Sequence, residues 1–252
     1  MKKIFISIFV FVVVFLSVPL ASAQSFGWGF KKNSNHTQPE IGKYAGEIEG
    51  TSSYYVGNPD EKIVYLTFDA GYDNGVLGKI LDVLNDKGVK STVFVTGDFI
   101  IREHELTLRM AYEGHTVGNH TWKHKNITKL SFEELSKEIH KVEDAYFRLT
   151  KQRMIKYFRP PSGQFNKEAL KNVEKLGYNT FFWSLAYKDW ETNNQRGAEA
   201  AYNSVMDNLH PGAIILMHTV SRDNLDALPR IIDGIRENGY TIKNLDYLIK
   251  NT

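Results

Sequence analysis

Lys62-Ile63-Val64-Tyr65-Leu66-Thr67-Phe68 is followed, after a short polar turn, by Val76, Ile80, Leu81 and Leu84, and then by Gly88. The first run is short, apolar and rich in β-branched and aromatic residues, which predicts a strand buried on both faces. The four residues after it mark one face of a helix, and Gly88 is its stop signal. The same alternation then repeats. Ser91 to Val95 reads as a second strand, followed by a helix through Leu106, Met110 and Ala111 to Gly114; Thr116-Val117-Gly118 is a short third strand. Ser131-Phe132-Glu133-Glu134 is a capping box opening a helix, with Leu135, Ile139, Val142 and Phe147 expected inside. Further on come a strand at 155–158, a helix at 167–176, a strand at 178–183, a helix at 198–209 and a strand at 213–217. A last helix carries Leu228, Ile231, Ile232 and Ile235, and Tyr240-Thr241-Ile242 follows it. Regular β-α alternation from Glu61 onward implies the α/β class, with a parallel sheet, helical crossovers, and a barrel or near-barrel closure.

The N-terminus reads differently. Met1-Lys2-Lys3, an apolar run from Ile4 to Val18 and the small-x-small Ala21-Ser22-Ala23 form an export signal, expected to be cleaved after Ala23. An uncleaved anchor is the alternative; the apolar run is short for a bilayer span of about 20 residues. Losing Lys2 and Lys3 changes the balance of basic to acidic residues from 31 against 29 to an even one. A near-neutral chain has no cationic surplus for nucleic acid or anionic membranes. Cysteine is absent, so neither disulfides nor thiolates are available and any metal needs imidazole, carboxylate, amide or water ligands. Residues 24–58 hold many glycines and little apolar period, and read as an extended lead-in to a domain over 59–252.

Polar clusters fall where the strands end, which is where parallel α/β folds collect their chemistry. Asp69 closes the first strand, and His120 and His124 follow the third. Arg159-Pro160-Pro161-Ser162-Gly163 follows Phe158, Asp189-Trp190 comes after Trp183, and His218 ends Ile214-Ile215-Leu216-Met217. Two imidazoles four residues apart, on a helical or tightly turned backbone, project to the same side. Each can give one neutral nitrogen to a cation such as zinc. Singly, each residue has a plainer use: Asp69 as a helix N-cap, Arg159 as a surface residue before a proline turn, His218 as a structural histidine, Trp190 and Leu216 as core.

Thr67-Phe68-Asp69-Ala70-Gly71, His120-Thr121-Trp122-Lys123-His124, Arg159 to Gly163, Asp189-Trp190 and Leu216-Met217-His218, in this order, resemble the five motifs of the polysaccharide deacetylase family. These are carbohydrate esterases sharing the NodB-type domain, and the likeness runs over roughly residues 60 to 245. It is greatest to the spore-cortex N-acetylmuramic acid deacetylases, to which Ala70-Gly71-Tyr72-Asp73-Asn74-Gly75 is similar as a variant first motif. The resemblance implies a distorted (β/α) barrel and hydrolytic removal of acetyl groups from N-acetylated sugars with a divalent metal, expected to be zinc. It makes Asp69 the general base, with Arg159 holding its carboxylate through paired hydrogen bonds. His218 becomes the acid for the leaving nitrogen, with Asp189 orienting its ring, and Trp190, Leu216 and Ser162 line the substrate groove.

Three departures matter. Where the family carries a second aspartate as third metal ligand, this chain has Ala70, whose methyl group coordinates nothing. Asp73 and Asn74 both lie near; the likeness to the variant motif favours Asn74, whose neutral amide oxygen would bind the metal weakly, while a helix cap is its alternative use. Ser162 replaces an aromatic residue, and Ala186 stands where the fourth motif often has its first Asp, so a roomier pocket floor is expected. That room suits the lactyl ether of N-acetylmuramic acid. The sequence therefore points to an exported monomer acting on peptidoglycan glycan strands in the cell wall or spore envelope, ahead of muramic lactam formation. An N-acetylglucosamine deacetylase and a glycan-binding protein with a decayed site are the alternatives.

Overall fold

Strand residues of a parallel sheet alternate between its two faces, and here the alternation separates chemistry from core. A computed structural model describes residues 24–32 and 35–252, so the expected export signal at 1–23 lies outside the described residues. In chain order the elements are β1 (Phe26–Gly27), α1 (Tyr44–Ile48), β2 (Ser53–Tyr54), β3 (Ile63–Ala70), α2 (Leu77–Asp86), β4 (Thr92–Val95), α3 (Gly97–Arg102), α4 (His104–Tyr112), β5 (Thr116–Asn119) and α5 (Phe132–Thr150). There follow β6 (Tyr157–Phe158), β7 (Gln164–Phe165), α6 (Lys167–Lys175), β8 (Asn179–Phe181), β9 (Leu185–Ala186), α7 (Ala198–Met206), β10 (Ile214–His218), α8 (Arg222–Glu237), β11 (Thr241–Lys243) and α9 (Leu245–Lys250).

The main sheet has the order β2-β8-β6-β5-β4-β3-β10-β9, with β11 running beside the first half of β3. Its pairings are parallel. The sheet curls into a distorted (β/α) barrel that stays open between β2 and β9, as expected from the alternating sequence. Leu66, Phe68 and Ala70 of β3 face outward into the largest core cluster, with Leu77, Ile80 and Leu84 of α2 and Leu228, Ile231 and Ile235 of α8. Tyr65 belongs to the separate interior cluster, with Phe94, Tyr157, Phe181 and Ile214, closed at one end by Leu245 and Leu248 of α9. Thr67 and Asp69 continue that inner face toward the opposite end. The interior is thus an aromatic plug below and a polar site above.

Two expectations need correction. Phe147 is exposed, and Tyr146 is the residue α5 buries together with Leu135, Ile139 and Val142; the helical stripe advances by three and four, and 147 falls one position off it. The capping box itself is present, with the Ser131 hydroxyl accepting from Glu134 N and the Glu134 carboxylate accepting from Ser131 N. The lead-in is also more than an extended strip. Its Trp28 ring stacks on Phe182 at 4.1 Å, and Phe165 and Tyr44 pack against the same ring. Trp28 N donates to Gly163 O and its indole to Trp183 O, both at 2.8 Å.

Candidate active site

β3 and β10 are register neighbours, and Asp69 pairs with His218 across them. Asn119, the last residue of β5, pairs with Phe158 of β6, so His120 and Arg159 leave the sheet side by side. Four separate strand ends thereby bring Asp69, His120, Arg159 and His218 to one end of the barrel. Asp69, His120 and His218 open on a cleft of about 660 Å³ lined also by Tyr72, His124, Ser162, Trp183, Trp190 and Leu216, with Arg159 behind Asp69.

Arg159 is fully buried, and each of its nitrogens is occupied. Nη1 donates to Asp69 Oδ1 at 2.9 Å, Nη2 to the Thr67 hydroxyl at 2.8 Å, and Nε to Phe181 O at 3.1 Å. The guanidinium lies 4.2 Å from the centre of the Phe94 ring, a cation–π contact. That ring takes the space a side chain at Gly118 would need, since a Cβ there would meet it at 2.6 Å. The hold on Asp69 is therefore one bond, where a paired one was expected; the second arm is taken by Thr67. Burial pushes the Asp69 carboxyl up, but the Arg159 guanidinium, with His120 and His218 nearby, overrules it and holds the group below its ordinary value. Asp69 Oδ2 remains 3.7 Å from His120 Nε2.

His120 Nδ1 donates to Arg159 O at 2.8 Å, which leaves the lone pair on Nε2. Burial drives its pKa down to about 4, and burial also lowers that of His124. Both rings are neutral at pH 7, with centroids 4.9 Å apart. The backbone between them is not helical: Thr121 and His124 both have positive φ, 64° and 54°. With Ser162 at 52°, two of the five non-glycine residues in this region among those described, His124 and Ser162, stand in the cleft wall, and Thr121 lies buried directly behind it. Such conformations persist where surrounding packing enforces them. Two neutral imidazoles presented together fit a divalent cation, and each ring has a lone pair to give it.

The third donor is less direct. Ala70 is fully buried in the outer core cluster. Asp73 caps α2, its carboxylate accepting from Gly75 N, Val76 N and Leu77 N. Asn74 Nδ2 donates to Val220 O at 2.9 Å, and Asn74 is not among the residues lining the cleft. Among the described residues no three His, Cys, Asp or Glu side chains form a metal cluster. The helix-cap role falls to Asp73, one position before the residue for which it was the alternative.

His218 Nδ1 donates to Asp189 Oδ1 at 2.7 Å, and His218 N to Asp189 Oδ2, also at 2.7 Å. Burial lowers the His218 pKa, but the hydrogen bond and charge of Asp189, with the charge of Asp69, outweigh it and leave the group raised. Trp190, half-exposed, meets the His218 ring edge-on at 5.4 Å. Leu216, Ser162 and Trp190 line the cleft as expected; Ala186 does not, so only Ser162 bears on the room at its floor. Sequence reasoning missed Tyr72 and Trp183. Trp183 closes a predicted strand, and the rule that singled out His218 would have found it too.

The matching family is Polysaccharide deacetylase, over residues 56–181. The chain belongs to that family and is a hydrolytic deacetylase of the carbohydrate esterase 4 type. It is 43% identical over 227 residues to the peptidoglycan-N-acetylmuramic acid deacetylase PdaA of Bacillus subtilis, covering 90% of this chain and 86% of that protein. The solved structure of PdaA superposes with a TM-score of 0.88 at 42% identity, covering 90% of this chain and 98% of that one. An uncharacterised 30.6 kDa protein of Geobacillus stearothermophilus is 47% identical over 223 residues, 88% of this chain and 84% of that one. A peptidoglycan-N-acetylglucosamine deacetylase of Bacillus cereus is 34% identical over 196 residues, 76% of this chain and 70% of its own length.

Proposed function

We propose that this chain removes the acetyl group from N-acetylmuramic acid residues of peptidoglycan, outside the cell membrane and ahead of muramic lactam formation in spore cortex. One observation carries the chemistry: a carboxylate bonded to Arg159 and an imidazole bonded to Asp189 face one cleft from adjacent strands, beside the imidazoles of His120 and His124. Asp69 takes a proton from water as the water oxygen bonds to the acetyl carbon. His218 gives its proton to the sugar nitrogen as the carbon–nitrogen bond breaks, releasing acetate and an amine. His120 and His124 would hold a divalent cation, zinc in our reading, which when bound would supply Lewis-acid polarisation of the acetyl group and acidification of water. Arg159 keeps Asp69 ionised, Asp189 keeps His218 charged, and Trp190, Leu216 and Ser162 contact the sugar. The small Ser162 side chain leaves space for a lactyl ether, and the likeness to PdaA supports the same substrate.

Acetate release should be faster from muramic-containing glycan than from chitin oligomers; turnover of chitin oligomers alone would move the assignment to N-acetylglucosamine. Asn74 would complete the metal site through Oδ1, the amide atom not engaged in the Nδ2 bond to Val220 O. Asn74→Ala is then expected to weaken metal binding by about tenfold or more, read by titration with zinc. Unchanged affinity would leave water as the third donor. The pH profile has a predictable sign. Asp69, with its lowered pKa, is ionised well into acid, so activity is lost as pH rises through the raised pKa of His218. Asp189→Asn should move that alkaline limb to lower pH, and an unmoved limb would remove His218 from the acid role.

A further inference from the structure

Asp189 is a buried carboxylate with no lysine or arginine partner among the described residues. It is satisfied by three donors: the two from His218, and Asn224 Nδ2, which reaches Oδ2 at 2.7 Å. Asn224 sits in the first turn of α8 and is fully buried. Its Nδ2 also donates to His218 O at 3.1 Å, and its N donates to Ser221 Oγ at 3.2 Å. Since an ionised carboxylate only accepts, the Asn224 NH2 must face Asp189, and Oδ1 then faces Tyr187. The Tyr187 hydroxyl donates to it at 2.6 Å. Every polar atom of this amide is thus committed, two of its three contacts being to the Asp189–His218 pair.

We propose that Asn224, oriented by Tyr187, is a positioning residue that holds the Asp189 carboxylate against His218 and so sets how readily His218 keeps its proton. A neutral donor on a buried carboxylate favours its charged form. Withdraw it, and the carboxylate loses one of its three donors and is held less firmly against the imidazolium. His218 is faced by Asp189 from the β9–α7 connection, Asp69 from β3, Arg159 after β6 and His124 after β5. Asn224 acts on the first of these alone. The activity consequence rests on the acid role given to His218 above; the wiring itself does not.

The test is NMR titration of the His218 imidazole, assigned by difference with His218→Gln, in wild type, Asn224→Leu and Tyr187→Phe. Tyr187→Phe keeps the packing and removes only the hydroxyl, so it remains informative should Asn224→Leu fail to fold. The expected result is a His218 pKa lower by about one unit in Asn224→Leu, a tenfold change in proton affinity, and a smaller drop in Tyr187→Phe. In parallel, kcat at alkaline pH should fall with KM little changed. A His218 titration unmoved in folded variants overturns the proposal even if activity drops, because that is the behaviour of a merely structural asparagine. Shifted titrations in an enzyme whose alkaline limb ignores Asp189→Asn would uphold the wiring and remove the acid assignment instead.

Discussion

Asp69→Asn is expected to lower kcat for acetate release by about a thousandfold, with KM within a few-fold of wild type and the fold intact. Asparagine has nearly the shape of aspartate, and its Oδ1 can still accept from Arg159 Nη1, while Thr67 and the Phe181 carbonyl keep the other nitrogens occupied. The guanidinium therefore stays satisfied and the cleft keeps its form. What disappears is the carboxylate that takes a proton from water in the proposed mechanism. The rate should not recover at any pH, since an amide has no ionised form to reach. Glycan processing by this variant within tenfold of wild type would sink the base assignment and favour a binding role for the cleft.

Arg159→Met should be the most destabilising single change at the site, by about 3–5 kcal/mol, because it leaves a buried carboxylate without its counter-charge. The pH dependence distinguishes this from simple loss of packing. In wild type the Asp69 pKa is lowered in the folded state, so its contribution to stability is present above the unfolded value near 3.8 and is lost as pH falls through the folded one. Without Arg159, burial dominates and the folded pKa rises above the unfolded value. The variant should then gain stability as pH falls between those two values, where wild type does not. Denaturant unfolding of both proteins across that window reads the difference, and parallel curves would show that the pair is not what Arg159 contributes.

The barrel was legible because strands such as Ile63–Ala70 and Ile214–His218 are buried on both faces and read as unbroken apolar runs. That Asp69 and His218 meet at their carboxyl ends followed from the same reading. Local patterns were less telling where a side chain answers to a distant partner. The Asn74 side chain is oriented by the Val220 carbonyl, far along the chain, and the carboxylate at the start of the helix turned out to be Asp73. The paired contact expected between Arg159 and Asp69 became a single one because Thr67, two residues earlier on β3, competes for the guanidinium. Phe26 and Trp28 looked like part of a loose leader; their partners Phe165 and Phe182 are too far off in sequence to show up as a pattern.

The position of β10 beside β3 also bears on the order in which the molecule forms. Tyr65 pairs with Ile214, and Asp69 with His218, so the centre of the sheet cannot close until most of the chain is available. Contacts of such long range are slow to form, because the intervening chain must be ordered first. A chain interrupted before β10 can build helices and its early strands, but it carries Asp69 without His218. Under the proposed mechanism, competence for hydrolysis and completion of the barrel therefore arrive in the same late step.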